Sequence, residues 1–162
     1  MTQLALIARS QVKSSSALLI SKSELVGVWQ YYTSQIGSGL GESFRFFKDG
    51  HFVYSYNPVD DTRNIIELDG MYRVDDKKLF LTIKSRVVRI GGKIEVGGAG
   101  TDENLFVFAN DSTKKVIEVN PKEADPLLIL KTNKATPSSL SIKINNRVYY
   151  KLSSDSNKFL GN

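Results

Sequence analysis

Residues 43–56, with the sequence SFRFFKDGHFVYSY, carry the clearest structural signal in the chain. Aromatic and polar residues alternate on both sides of an Asp-Gly pair, which is typical of a β-hairpin. A two-residue turn would pair Phe46 with Val53, whereas a three-residue loop with Gly50 in the left-handed conformation pairs Phe46 with Phe52. We therefore predict the longer loop. It gathers on one face an aromatic wall of Phe44, Phe46, Phe52, Tyr54 and Tyr56.

A second hairpin follows directly and extends this wall. A four-residue loop over residues 75–78 sets Tyr72 opposite Leu81. The next inner position along the strand is Ile83. These three side chains are predicted to face the aromatic wall.

The side chain of Arg89 has two alternative directions. Unbroken alternation from Ile83 puts it on the inner face, where its guanidinium would require an anionic partner such as a ligand carboxylate. Val88 and Ile90 favour the opposite phase, and a β-bulge near residues 84–87 would accommodate them and turn Arg89 to the surface. The inward alternative makes Arg89 a candidate ligand anchor.

Short β-rich runs bounded by turn residues continue from residue 25 almost to the end of the chain. The candidate strands are residues 25–33, 42–48, 51–57, 63–74, 78–90, 93–96, 104–109, 115–119, 127–131, 139–144 and 147–152. Because most of the early connections are tight, we predict an all-β, antiparallel up-and-down barrel of about eight to ten strands. A β-sandwich is the alternative, but it would need long crossovers.

The chain is predicted to form one domain with a short segment at each end. Residues 1–24 form an N-terminal segment, helical or irregular, that closes or flanks the barrel. Within it, Ser21 and Glu24 have the spacing of a capping box. Residues 25–153 form the barrel, and residues 154–162 form a C-terminal tail.

The composition argues against most kinds of catalytic and metal site. The 162 residues include no cysteine and one histidine, which excludes disulfides, thiolate zinc sites, iron–sulfur clusters and a cysteine nucleophile. No serine nucleophile is implied beside His51, and the paired acids fall in loops or at strand ends. We therefore expect a non-enzymatic protein with no catalytic residue, no metal site and no cofactor.

The net charge of +5 lies entirely in the second half of the chain. Residues 82–162 hold thirteen basic and eight acidic residues, whereas residues 1–81 hold nine of each. This excess of basic residues is either a solvated strand face or a surface for an acidic protein partner. Nucleic acid is a less favoured partner, because no block of five like charges occurs. The densest basic cluster consists of Lys84, Arg86, Arg89 and Lys93.

Four segments together resemble the bacterial lipocalin-like domains of the calycin superfamily. They are Gly-x-Trp at residues 27–29, the Phe-rich hairpin with its Asp-Gly pair at 44–52, Gly-x-Tyr at 70–72 and the closing segment VYYKL at 148–152. The resemblance covers about residues 25–152. It implies an up-and-down barrel that binds a small molecule in its interior.

The resemblance also implies how one end of the barrel closes. The tryptophan of the first strand, Trp29, would plug that end and pack near a basic residue of the last strand, either Arg147 or Lys151. A type I′ turn at residues 145–146 puts both basic residues on the inner face. Burial of apolar side chains alone favours the opposite orientation of the last strand, with Val148 facing inward.

Two functional hypotheses follow. The first is a lipocalin-like barrel that binds a small apolar or weakly anionic ligand, for which the aromatic wall together with Tyr72, Leu81, Ile83 and Arg89 supplies the contacts. The alternative is a solid-core barrel, filled by the same aromatic residues, that acts as a protein-interaction or surface-associated module through its basic second half.

The sequence gives only conditional expectations about the cellular compartment. The first 20 residues lack the continuous apolar core of a signal peptide, and no transmembrane segment is predicted. We expect a cytoplasmic protein if the start is native, and a secreted or periplasmic one if the chain is processed, as in many lipocalin-like relatives. The oligomeric state stays open.

Overall fold

The computed structural model describes residues 19–34, 41–57, 64–91, 113–132 and 140–158, which form one short helix and nine β-strands. The helix is α1 (Lys22–Leu25). The strands are β1 (Gly27–Tyr31), β2 (Ser43–Phe46), β3 (His51–Ser55), β4 (Ile65–Asp75), β5 (Lys78–Ile90), β6 (Thr113–Glu123), β7 (Leu127–Lys131), β8 (Ser141–Ile144) and β9 (Arg147–Ser153).

Eight of these strands form a closed antiparallel barrel. Each of β1 to β4 pairs with the next strand, β5 pairs with β7, and the circle closes through β8 and β9 back to β1. Strand β6 is additional and pairs with the far half of β5. The predicted all-β barrel is confirmed. The predicted strands at 93–96 and 104–109 lie outside the described residues.

The β2–β3 hairpin has the predicted register. Phe46 lies opposite Phe52 and Phe44 opposite Tyr54. Gly50 adopts a φ of 92°, a conformation that favours glycine. The three-residue loop is therefore confirmed, and the aromatic side chains share the inner face of the barrel.

The β4–β5 hairpin also has the predicted register, with Tyr72 opposite Leu81. Its loop is shorter than predicted, because Asp75 pairs with Lys78 and leaves only two residues in the turn. The first of these, Asp76, adopts a φ of 52°. Aspartate tolerates this conformation better than most residues, which makes the tighter turn accessible.

A β-bulge at Lys84 changes the phase of β5. Gly70 pairs with Ile83 while the preceding residue, Asp69, pairs with Ser85, so Lys84 is left without a partner on β4. Beyond the bulge, Arg86 lies opposite Leu68. The predicted bulge is confirmed, and it moves every later residue of β5 to the opposite face from the one that unbroken alternation would give.

Helix α1 covers one end of the barrel, which we call the closed end. The Ser21 side chain accepts a hydrogen bond from the Glu24 backbone N–H, and the Glu24 carboxylate accepts one from the Ser21 backbone N–H. This is the predicted capping box. Leu25 follows it and is fully buried against the core. The start of the segment, residues 1–18, lies outside the described residues.

The β8–β9 turn lies at the opposite end, which we call the open end. Ile144 pairs with Arg147, so the turn has two residues as predicted. Asn145 has a φ of 51°, but Asn146 is not among the residues with positive φ, so the turn is not the type I′ that was predicted. Ile142 lies opposite Tyr149, which places Tyr149 on the inner face.

Candidate ligand-binding cavity

The half of the barrel near the open end contains a cavity of about 370 Å³ that opens to the outside. This volume lies within the range typical of small-molecule sites, roughly 300–1,000 Å³. Aromatic side chains from β2, β3 and β9 and aliphatic ones from β4, β5, β7 and β8 form its wall. The lining residues are Phe44, Phe52, Tyr54, Leu68, Leu81, Ile83, Leu127, Ile144, Asn145, Asn146, Arg147 and Tyr149.

The half of the barrel near the closed end is filled with side chains. Phe46 is fully buried and meets the Tyr72 ring edge-on, with 4.9 Å between the ring centroids. The Tyr72 hydroxyl donates a hydrogen bond to the Phe47 carbonyl at 2.9 Å. Burial raises the pKa of Tyr72 to about 12, so this phenol stays neutral. The interior therefore combines a solid lower half with a cavity above it.

Trp29 lies within the solid half, next to helix α1. It is fully buried, and its indole N–H donates a hydrogen bond of 2.6 Å to the Leu25 carbonyl. The Lys151 ammonium lies 5.3 Å from the centroid of the Trp29 ring and donates to the Glu24 carbonyl at 2.6 Å. Of the two basic candidates, Lys151 is the one that lies beside Trp29.

The charges at the closed end lie on three elements. The Glu24 carboxylate forms an ion pair of 2.5 Å with Lys131 of β7. Hydrogen bonds from Lys131 and from the Ser21 backbone lower the pKa of Glu24 to about 2. Burial lowers the pKa of Lys151, an effect that the charge of Glu24 partly opposes.

Arg147 lies at the open end, so of the two alternatives it is not the basic residue beside Trp29. Arg147 begins β9. Lys151 follows four residues later on the same inner face, closer to helix α1. The Arg147 guanidinium forms an ion pair with Glu42 and lies 5.3 Å from the centroid of the Tyr31 ring. The hydrogen bond with Glu42 raises the pKa of Arg147.

A polar network borders the mouth of the cavity. Tyr54 and Tyr149 both lie on the inner face, and Glu42 and Arg147 interact with each of them. Burial raises the pKa of Tyr54, and so do the neighbouring Tyr149 and Glu42. Burial and Glu42 likewise raise the pKa of Tyr149. Both phenols are therefore neutral at physiological pH, and each hydroxyl can donate or accept a hydrogen bond at the cavity wall.

The eight aromatic and aliphatic residues among the predicted ligand contacts occupy three kinds of position. Five of them line the cavity: Phe44, Phe52, Tyr54, Leu81 and Ile83. Phe46 and Tyr72 lie in the solid half instead. Tyr56 packs edge-on against Tyr54, with 4.9 Å between the ring centroids, and does not line the cavity.

Arg89 is the predicted contact that the structure places elsewhere. The bulge at Lys84 puts it on the outer face of β5, the face of Ser85 and Val87, so the outward alternative holds and the inward ligand anchor does not. Its backbone N–H donates to the Asn64 carbonyl at 2.7 Å. The inward arginine of this strand is Arg86, which sequence reasoning had assigned only to a surface cluster.

The basic cluster of β5 is therefore divided. Lys84 occupies the bulge, Arg86 lies on the inner face and Arg89 on the outer face. Lys93 is outside the described residues. Because these arginines point to opposite sides of the sheet, the described part of the cluster does not form one continuous basic surface.

Several lining residues were absent from the predicted site. Tyr149 could have been found from the two-residue turn, which fixes the phase of β9. Leu68 follows from the phase of β4, two positions before Gly70 on the inner face. Leu127, the first residue of β7, also lines the cavity, and no alternation in the sequence indicates this.

His51 lies outside the barrel. Its Nε2 atom is 2.5 Å from the Asp69 carboxylate, and its ring packs 4.9 Å from that of Phe47. Among the described residues, no group of three metal-ligating side chains comes together, and no helix is long and apolar enough to cross a bilayer.

No family model matches the chain, and no curated protein and no solved structure matches it either. The barrel is compatible with the lipocalin-like fold that the sequence resembles.

Proposed function

We propose that this protein is a non-enzymatic, lipocalin-like barrel that binds a small apolar or weakly anionic molecule in the cavity at its open end. The observation that carries this proposal is the division of the interior. One half is packed around Trp29 and Phe46, while the other leaves about 370 Å³ between aromatic and aliphatic walls. A barrel whose interior served only as a core would gain stability by filling that space, because an empty apolar volume forfeits packing contacts.

The composition of the wall supports a mainly apolar ligand. Aromatic and aliphatic side chains form most of the lining, and the polar groups are confined to the mouth. Such a distribution is typical of sites in which the apolar wall supplies affinity and a few polar groups fix the orientation. Tyr54 and Tyr149 can form such hydrogen bonds at the mouth.

The same polar groups give no support to a catalytic role. Glu42 is occupied by Arg147 and Tyr54, so it is not an available general base. The raised pKa of Tyr54 and that of Tyr149 disfavour the phenolates that nucleophilic or basic catalysis would need. These contacts therefore favour a site that binds a ligand over one that catalyses a reaction.

The first experiment identifies what the cavity holds. The purified protein is extracted with organic solvent and the extract is analysed by mass spectrometry. The stripped protein is then titrated with fatty acids, fatty alcohols and sterols by isothermal titration calorimetry. We expect an extracted ligand, or at least one titrant that binds and raises the melting temperature.

A variant that fills the cavity tests whether binding occurs inside the barrel. Ile83→Trp should lower the affinity for any bound titrant at least about tenfold, because the indole occupies ligand space. Leu127→Trp, which fills the cavity from β7, should do the same. Val116→Trp is the matched control, since Val116 is 60% exposed on β6. Full affinity in both cavity-filling variants, with folding verified by circular dichroism, would contradict the proposal.

A further inference from the structure

Arg86 is the inward-facing cation of β5. It pairs with Leu68, whose side chain lines the cavity, and on its other side with Ile117 of β6. Directly paired residues place their side chains on the same face of a sheet, so the guanidinium lies on the inner side of the barrel. Arg86 is the next inner position after Ile83 toward the open end.

One donor of the Arg86 guanidinium is buried without an acceptor among the described residues. Its Nε atom is buried and has no hydrogen-bond partner there. Both directly paired neighbours, Leu68 and Ile117, are apolar and offer no acceptor from their side chains. A buried donor of a charged group without an acceptor is unfavourable, so a partner from outside the chain would stabilise it.

The nearby carboxylates belong to the other face of the sheet. Asp69 and Glu118 each pair with Ser85, and Glu67 pairs with Val87, all on the outer side of β5. At the mouth, Arg147 already has a counter-ion in Glu42. Arg86 does not itself line the cavity, but it lies beside the lining residue Leu68 and forms no ion pair with the described residues.

We propose that Arg86 binds the anionic head of the ligand, and that the ligand is a single-chain amphiphile with an anionic oxygen group. The planar guanidinium matches two oxygens of a carboxylate or phosphate through parallel hydrogen bonds. The chain of the amphiphile lies between the aromatic wall and Leu81, and its head lies toward the open end beside Leu68. This inference rests on the proposed binding function and adds the chemical class of the ligand.

The test compares three probes that differ only in their head group. Dodecanoate, dodecyl phosphate and dodecanol are titrated into the wild-type protein and into Arg86→Met by calorimetry. We expect wild type to bind at least one of the two anions at least about tenfold more tightly than dodecanol. In Arg86→Met that preference should disappear while the affinity for dodecanol is unchanged. The relative affinities of the two anions distinguish a carboxylate head from a phosphate head.

Arg89→Met is the matched control, because it removes the same charge from the outer face of the same strand. It should keep the wild-type preference for the anion. Arg86→Lys should retain part of that preference through its charge. The ligand-free Arg86→Met protein should be at least as stable as wild type, since the substitution removes a buried donor that lacks a partner.

Three results would separate the two proposals. Equal binding of the anions and dodecanol by wild type, or an undiminished preference in Arg86→Met, would overturn the role of Arg86 while leaving the cavity a binding site. Absence of binding by all three probes and by the wider panel would overturn the binding function itself.

Discussion

Glu24 connects the N-terminal helix to the barrel through a single carboxylate. It completes the capping box with Ser21 and pairs with Lys131 of β7. Its main-chain carbonyl accepts a hydrogen bond from Lys151, the cation beside Trp29. The sequence predicted the local part of this arrangement, because a capping box depends on residues three apart. The contact with Lys131 joins residues 107 positions apart and has no local signal.

The lowered pKa of Glu24 predicts how stability changes with pH. Its folded pKa of about 2 lies below the ordinary value of 4.5, so its contribution is present above pH 4.5 and is lost as the pH falls toward 2. The free energy of unfolding of wild type should exceed that of Glu24→Gln near pH 6, and the difference should shrink toward pH 2. The effect is small because 39% of the side chain is exposed.

Urea denaturation at a series of pH values measures this difference. Lys131→Met removes the hydrogen bond that contributes most to the shift, so in that background the difference should depend less on pH. A difference between wild type and Glu24→Gln that stays constant from pH 6 to pH 2 would refute the assignment.

At the scale of the elements, the bulge of β5 decides which arginine faces the interior. Sequence alternation offered a β-bulge as one of two alternatives and left its position open over four residues. The structure places it at Lys84, opposite the junction of Asp69 and Gly70. The register of both early hairpins was predictable because turn length and alternation constrain each other locally. The pairing of β5 with both β6 and β7 joins residues that are far apart in the sequence, so no local pattern predicts it.

Gly70 permits the close approach of β4 and β5 beside this bulge. A Cβ atom at this position would lie 2.0 Å from the Thr82 carbonyl oxygen, far inside contact distance. Gly70→Ala should therefore force the two strands apart and destabilise the protein by about 1–3 kcal/mol or more. Gly41→Ala is the milder comparison, since its nearest contacts would be 3.2 Å away and the neighbours need to shift by only a few tenths of an ångström. Chemical denaturation compares the two, and an equal, small effect of both substitutions would contradict this role of Gly70.

At the scale of the whole molecule, the barrel is asymmetric along its axis. Helix α1, Trp29 and the Phe46–Tyr72 pair fill one end, and the cavity occupies the other. The sequence predicted the barrel and five of the lining side chains, because alternation determines which residues face inward. Alternation does not determine whether inward residues meet across the barrel. The sequence therefore left both a filled and a hollow interior open, and the placement of side chains from β2, β5, β7 and β9 shows a cavity.

The most direct test of the binding function is the position of the ligand inside the barrel. Intermolecular nuclear Overhauser effects are measured between a titrant that binds, such as dodecanoate, and the methyl groups of the protein. We predict contacts from the alkyl chain to Leu81, Ile83 and Leu127, and none to Val116 on the exposed face of β6. Contacts to Val116 without any to the three cavity residues would show that the molecule binds outside the barrel and would contradict the proposed function.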